Sequence, residues 1–230
     1  MTRGRDQTSR AGLTIAMDGP AGAGKSTLAK RTAQELGYLY VDTGAMYRAL
    51  ALKALRTGVN LESDEALTAM AAGTMVELER GESGNRVFLD GAEVTALIRT
   101  PEVERVVSRV SSATGLRRYM IEEQRRIARG GGVVMDGRDI GSYVLPDADL
   151  KFFITASLQE RASRRYEQLC RAGRAIPLET LVAEIARRDE QDENKGESSL
   201  VRTPDSIYID TTGRSVDDVL AEILRYCRGG

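Results

Sequence analysis

Gly19-Pro20-Ala21-Gly22-Ala23-Gly24-Lys25-Ser26 fits Gly-x-x-x-x-Gly-Lys-[Ser/Thr], the pattern of a phosphate-binding loop. It constrains the fold more than any other stretch, because such a loop works only between a buried strand and a helix. Residues 13–17 ahead of it form a short apolar run with β-branched members, which predicts a strand. Residues 26–36 behind it predict a helix. Glycines let the backbone curl until several N–H groups face one anion, and the helix N-terminus adds partial positive charge there. Lys25 has the reach for outer phosphates, and the Ser26 hydroxyl suits Mg²⁺. The alternative is an ordinary Gly-rich turn before a helix. Every fixed position is filled and both flanks are right, so the phosphate loop is preferred.

Further strand candidates are residues 38–41, 132–135, 150–154 and 206–209, with helical patterns between them. Short apolar strands alternating with helices predict an α/β fold with a mainly parallel sheet covered on both faces. Ligands on such sheets bind at the carboxyl ends of strands. Asp18, Asp42 and Asp136 each stand at or just past such an end. They form one polar rim, or each caps its own turn. Residues 74–80 and 86–91, joined by a Gly- and Ser-containing turn, predict a β-hairpin, an antiparallel insertion in a parallel fold. Residues 102–129 read as helix with a break at 113–115. Residues 158–194 read as helix with a break at 173–177, and 216–226 as a closing amphipathic helix.

A chain of 230 residues is one large domain or a core with insertions. Its 33 basic and 34 acidic residues leave a net charge of −1, which argues against a generic nucleic-acid or membrane binder. The arginines are nevertheless clustered, at 117–118, 125–126, 164–165 and 187–188. There is no histidine, which excludes histidine bases, histidine-ligated metals and Ser-His-Asp triads. Cys170 and Cys227 lack metal-type spacing and read as reduced thiols of a cytoplasmic protein. No stretch reaches membrane length, and no signal-peptide pattern opens the chain. Residues 1–12, polar and basic, read as a loose tail.

Three further motifs follow strands or lie on helices. In Asp42-Thr-Gly-Ala-Met-Tyr-Arg48, Gly44 permits a tight turn and Arg48 can fork onto a phosphate. Val133-Val-Met-Asp-Gly-Arg-Asp139 is a buried strand ending in two acids and an arginine. Asp136 suits a water-mediated contact to Mg²⁺, while Arg138 and Asp139 either project into a crevice or form a surface ion pair. Arg188, Asp192 and Lys195 share one helical face, where Arg188 and Asp192 are spaced as a helix-stabilising pair.

Taken together, these pieces resemble the bacterial cytidylate kinase family, nucleoside-monophosphate kinases that phosphorylate CMP and dCMP. The matching segments are Asp18 to Ser26, Asp42 to Arg48, Ile98-Arg-Thr-Pro-Glu-Val103, Asp136-Gly-Arg-Asp139, Pro146-Asp-Ala148, Arg188-Asp189 with Asp192, and Ile209-Asp-Thr-Thr212. They run in the family's order from about residue 13 to the end. The resemblance implies a P-loop core (13–36, 132–157, 200–230), a monophosphate-binding arm carrying the hairpin (about 37–131) and a short helical lid (about 158–199). It implies that Gly19, Pro20, Ala21, Gly22, Ala23, Gly24, Lys25, Ser26 and Thr27 bind ATP, with Arg164 as a lid arginine. Thr43, Arg48, Ser108, Arg117, Arg138, Asp139, Arg188, Asp192 and Lys195 are then expected to line the CMP site. Of these, Arg48 and Arg138 would clamp phosphate, Ser108, Arg117 and Asp139 would read cytosine, and Arg188 would also approach the transferred group. The catalytic set on this reading is Lys25, Arg138, Asp139 and Arg188, with Mg²⁺ held at Ser26. A cytoplasmic monomer acting on small nucleotides, without nucleic-acid or membrane partners, is expected.

The chain departs from the family at Lys195, where arginine is usual, and at Ser199-Leu200, where Pro-Leu is usual. Lys195 would act as a point charge instead of a fork. A regulatory P-loop GTPase would need Asn-Lys-x-Asp after a buried strand. Asn194-Lys-Gly-Glu197 ends in Glu and follows no strand. A kinase for UMP, AMP or shikimate is the nearer rival, against which the hairpin and the Ser108, Arg117, Asp139 trio speak. An inactive binding module finds no support, because every loop element is intact.

Overall fold

The computed structural model describes residues 12–81, 84–171, 173, 174, 176–194 and 199–229. The expected tail (residues 1–11 of it) and Lys195 lie outside the described residues. Five strands, β1 (Thr14–Asp18), β2 (Leu39–Asp42), β6 (Val133–Asp136), β7 (Leu150–Thr155) and β8 (Ile207–Asp210), form a parallel sheet in the order β2-β6-β1-β7-β8. The α/β reading is thereby borne out, with each strand within a residue or so of its expected place. β1 pairs with β7 from Ile15↔Leu150 to Asp18↔Phe153, and β7 with β8 from Phe152↔Ile207 to Thr155↔Asp210. Ile15, Ala16, Met17, Val133, Val134, Met135, Phe152 and Ile154 are all buried, as strands covered on both faces must be. The first crossover leaves β1 for β2 on one side, while β7 and β8 lie on the other. The loop after β1 therefore opens at the point where strand order reverses, the usual ligand crevice of such sheets.

The chain divides into two compact units. One contains the chain up to Leu39, Ala128–Val134 and Arg138 onward. In it α1 (Lys25–Leu36) stops at Gly37, whose φ of 71° is the left-handed turn glycine adopts without strain. Helices α6 (Leu158–Arg171) and α7 (Leu178–Glu193) pack on each other through Ala162, Leu181 and Ile185, flanked by Leu158, Leu169, Ile176 and Val182. Helix α8 (Val216–Cys227) starts with the Ser215 hydroxyl accepting from Asp218 N.

The other unit contains Tyr40–Ile127 and Met135–Gly137. Helices α2 (Thr43–Thr57), α3 (Asp64–Ala72), α4 (Pro101–Ser112) and α5 (Thr114–Ala128) accompany a three-stranded antiparallel sheet. The expected hairpin is β3 (Val76–Gly81) with β4 (Gly84–Leu89), in register from Val76↔Leu89 to Gly81↔Gly84. A third strand, β5 (Ala92–Glu93), was not legible in the sequence. Ala45, Ala49, Val87, Leu89, Val94 and Ile98 form its apolar core. Pro101 opens α4 at the position where a missing N–H costs no hydrogen bond.

Candidate active site

The loop after β1 is built by its glycines and by the groups that grip its carbonyls. A Cβ at Gly19 would lie 1.9 Å from the Ile154 carbonyl oxygen, so no other residue fits there. Gly24, with φ 89°, is the left-handed step into α1. Lys25 is buried, and its Nζ donates to the Pro20 carbonyl at 2.7 Å. Arg161 donates to the Ala21 carbonyl at 3.2 Å, and the Thr211 hydroxyl shares its one proton between the Ala23 carbonyl at 3.1 Å and the Thr155 carbonyl at 3.0 Å. In a trans peptide the C=O and N–H point opposite ways. Each carbonyl held by an outside donor therefore turns the N–H of its own peptide the other way, and N–H groups turned so are what an anion needs. Ser26 and Thr27 are exposed at the helix start.

Two arginines of α6 fasten this loop to its surroundings. Arg161, 7% exposed, donates to the Ala156 carbonyl and forks onto Asp189 of α7, with N–O distances of 3.0 and 2.7 Å. Arg164 donates to Glu160 and, through both terminal nitrogens, to the Thr211 hydroxyl and carbonyl at 2.9 Å each. A Cβ on Gly24 would sit 3.7 Å from Arg164 Nη1, so this guanidinium lies over the end of the loop.

The same unit carries the segment after β6. Arg138 Nε donates to Asp192 Oδ2 at 2.7 Å, and Asp192 is buried on α7. Asp139 is buried too, and its carbonyl accepts from Tyr143 and Val144 N–H as the chain enters a π-helical turn, Ile140–Val144. The Asp18 carboxylate accepts from Ile140 N at 2.8 Å and Gly141 N at 2.7 Å. Burial pushes the Asp18 carboxyl up to about 6. The two N–H groups and Lys25 pull the other way, and the nearby Asp139 adds to the rise.

In the second unit Asp42 caps α2, accepting from Ala45 N at 2.8 Å. Buried Thr43 donates to the Asp136 carbonyl at 2.7 Å, and the Asp136 carboxylate accepts from Tyr40 OH at 2.9 Å. Arg48 pairs with Glu104 at 2.8 Å and folds back over Gly44, where a Cβ would meet Arg48 Nη1 at 2.9 Å. Ser108 is exposed on α4, and Arg117 is half-buried on α5. A cavity of about 690 Å³ in this unit is lined by none of the expected site residues.

The family model described as cytidylate kinase matches residues 15–229. The chain belongs to the cytidylate kinase family. A protein of Symbiobacterium thermophilum named cytidylate kinase is 64% identical over 217 residues, covering 94% of this chain and 96% of that protein. A cytidylate kinase of Desulfitobacterium hafniense is 50% identical over 212 residues, covering 92% and 91%. Among solved structures, an uncharacterized protein of Eubacterium ventriosum is similar at a TM-score of 0.55 and 12% identity, covering 95% of this chain and 99% of that one. That likeness concerns the fold alone. The resemblance read from the motifs is borne out, and with it the reading as a nucleoside-monophosphate kinase. Among the described residues no helix is long and apolar enough to cross a membrane.

The first unit thus brings together Gly19 to Thr27, Arg138, Asp139, Arg164, Arg188 and Asp192, while Thr43, Arg48, Ser108, Arg117 and Asp136 belong to the second. Of the three acids at strand ends, Asp42 is a helix cap, whereas Asp18 and Asp136 are buried hydrogen-bond acceptors. Sequence reasoning missed Arg161, and it quoted Asp189 and Thr211 only within family motifs, without a role for either. Arg161 stands one helical turn before Arg164, and Thr211 stands just past the end of β8. The rule that pointed to Asp18 and Asp136 would have pointed to Thr211 as well.

Proposed function

We propose that this chain transfers the γ-phosphoryl group of ATP to CMP or dCMP, giving ADP and CDP or dCDP. The observation that carries the proposal is a phosphate loop whose three carbonyls are already gripped by Lys25, Arg161 and Thr211, in a chain of the cytidylate kinase family. The loop backbone is held in place before the triphosphate arrives, which is where electrostatic catalysis gains most, while Lys25 and Arg164 exchange protein acceptors for phosphate oxygens. A CMP phosphate oxygen is anionic at neutral pH and attacks the γ-phosphorus in line. The new O–P bond forms as the bond to the β-γ bridging oxygen breaks, and ADP leaves. No histidine base is required, and the chain has none.

Lys25 and Arg164 are assigned to the ATP phosphates. Arg48 and Arg138 are assigned to the CMP phosphate, Arg188 to the transferring group, and Thr43 and Asp192 to orientation. Asp139 accepts from the cytosine amino group, with Ser108 and Arg117 completing base recognition. The core, hairpin-bearing arm and helical lid keep the bounds given above. The exposed Ser26 hydroxyl and the Asp136 carboxylate are hard oxygen donors, which fits Mg²⁺. Among the described residues no cluster of three acids or thiols is built to cage a metal. The ion would therefore be held mainly by nucleotide oxygens, where it neutralises β- and γ-phosphate charge.

The test is a coupled ADP-release assay with Mg²⁺ and ATP over CMP, dCMP, UMP, AMP and shikimate. Turnover of CMP and dCMP far above the rest is expected. Failure to convert CMP would overturn the proposal.

A further inference from the structure

Asp18 stands outside the phosphate loop and the set of residues assigned to the nucleotides, yet it is among the most deeply buried charged groups of its unit. Its two oxygens each accept one backbone N–H from the same turn, Ile140 and Gly141. That turn is π-helical, a geometry that is rare in general and frequent at functional sites. It begins immediately after Arg138 and Asp139, and its first bonds close back onto the Asp139 carbonyl. The Ser142 hydroxyl inside the turn is buried with no hydrogen-bond partner among the described residues, so the turn is not shaped for stability alone. Its other side is equally constrained. A Cβ at Gly141 would lie 3.2 Å from both Asp18 Oδ2 and Lys151 Cδ, and Lys151 is buried with its Nζ tied to Asp205 at 2.6 Å.

We propose that Asp18 is a positioning residue. By fixing the Ile140–Val144 turn through two main-chain bonds, it sets the place of Arg138 and Asp139 and so governs binding and base choice at the CMP end of the reaction. Because Asp18 also abuts Gly19, it ties that placement to the strand that launches the phosphate loop. The inference rests on the functional reading above, in which Arg138 meets the CMP phosphate and Asp139 the cytosine.

Two variants test it, Asp18→Asn and Gly141→Ala. Asparagine turns an amide N–H₂ toward one of the two backbone donors. The alanine methyl presses on the same contact from the opposite side. Circular dichroism confirms folding. KM for CMP, KM for ATP and the CMP-over-UMP ratio of kcat/KM are then compared with the parent. For Asp18→Asn, KM for CMP is expected to rise about tenfold or more and the CMP-over-UMP ratio to fall about tenfold, as loss of a charged hydrogen bond implies. KM for ATP should rise by clearly less than KM for CMP, because Asp18 bonds the Ile140–Gly141 turn directly and touches Lys25 only through its charge. Gly141→Ala should shift CMP parameters the same way by about threefold, and it decides the matter if Asp18→Asn does not fold. A purely structural Asp18 would lower the yield of folded protein and leave the base ratio unchanged. That result, or equal rises in both KM values, overturns the inference. A parent protein that does not phosphorylate CMP sinks the functional reading and this inference together. An active parent with unaltered variants sinks the inference alone.

Discussion

The ion pair of Arg161 and Asp189 invites a quantitative test. Arg161 is 7% exposed and Asp189 18%, and the contact is a two-point fork with N–O distances of 3.0 and 2.7 Å. Removing one partner of a buried pair strands the other charge, at a cost of about 3–5 kcal/mol. In Asp189→Ala the stranded arginine keeps the Ala156 and Ala21 carbonyls as acceptors, so the lower end applies, about 3 kcal/mol. In Arg161→Ala the carboxylate is partly solvated, but two loop-region carbonyls lose their donor and the packing of the side-chain stem is lost. About 4 kcal/mol is expected there. The double variant should cost less than the sum, with a coupling of about 2 kcal/mol.

For a chain of this size each kcal/mol moves the melting midpoint by roughly 2–4 °C. Asp189→Ala should therefore melt about 6–12 °C below the parent. The measurement is a double-mutant cycle by urea unfolding, with thermal melts alongside. A kinetic signature should accompany it. Ala21 belongs to the phosphate loop, so Arg161→Ala should raise KM for ATP more than KM for CMP. A coupling under about 0.5 kcal/mol would refute the reasoning, since that is the value of an exposed pair.

Asp139→Ala should abolish most of the CMP-over-UMP preference in competitive turnover, because a buried acceptor shaped for the cytosine amino group commonly gives discrimination of about 10⁴-fold or more. Retained preference would remove Asp139 from base reading. The Asp18 carboxyl, near 3.8 when the chain is unfolded and pushed up to about 6 when folded, gives a pH signature. Between those values the folded protein holds the extra proton, so this group favours folding as pH falls through 6 and that contribution is gone above it. Going from pH 7 to pH 5, the parent should gain about 1.3 kcal/mol of stability relative to Asp18→Asn. Asp139 and Lys25 act on the group and remain in both proteins, so comparing the two isolates Asp18. A pH-independent difference in urea midpoints would contradict the burial argument.

The parts of this molecule that a sequence discloses are those whose signals are local. The glycine loop, the apolar strands and the hairpin turn each carry their pattern within a dozen residues, and each formed where the pattern lay. The π-helical turn at Ile140–Val144 carries no such pattern. Its shape is imposed by a carboxylate 122 residues earlier, which no periodicity encodes. Strand β5 is two residues long, too short for alternation to register. Arg161 looked like one more arginine on an arginine-rich helix, because helical spacing tells which residues share a face and not which face is covered. Asp192 shows the same limit. Spacing on α7 offered Arg188 as its partner, whereas the fold adds Arg138, 54 residues away.

That Arg138–Asp192 bond bears on how the arginine can serve a phosphate. Asp192 is 4% exposed, so an incoming anion that displaced it from Arg138 would break a buried charge-assisted hydrogen bond, at about 1.5–3 kcal/mol. If Arg138 meets the CMP phosphate as proposed, that phosphate shares the guanidinium with Asp192 instead of replacing it. Asp192 engages the Nε edge at 2.7 Å, and a planar guanidinium carries donors on its Nη edge as well. In this arrangement the carboxylate lowers the arginine's net attraction for an anion and fixes its orientation in return. A lysine, with a single rotatable ammonium, offers no second edge to divide between a buried acid and a substrate. On the proposed reading, residue 138 thus calls for arginine on grounds of shape more than of charge.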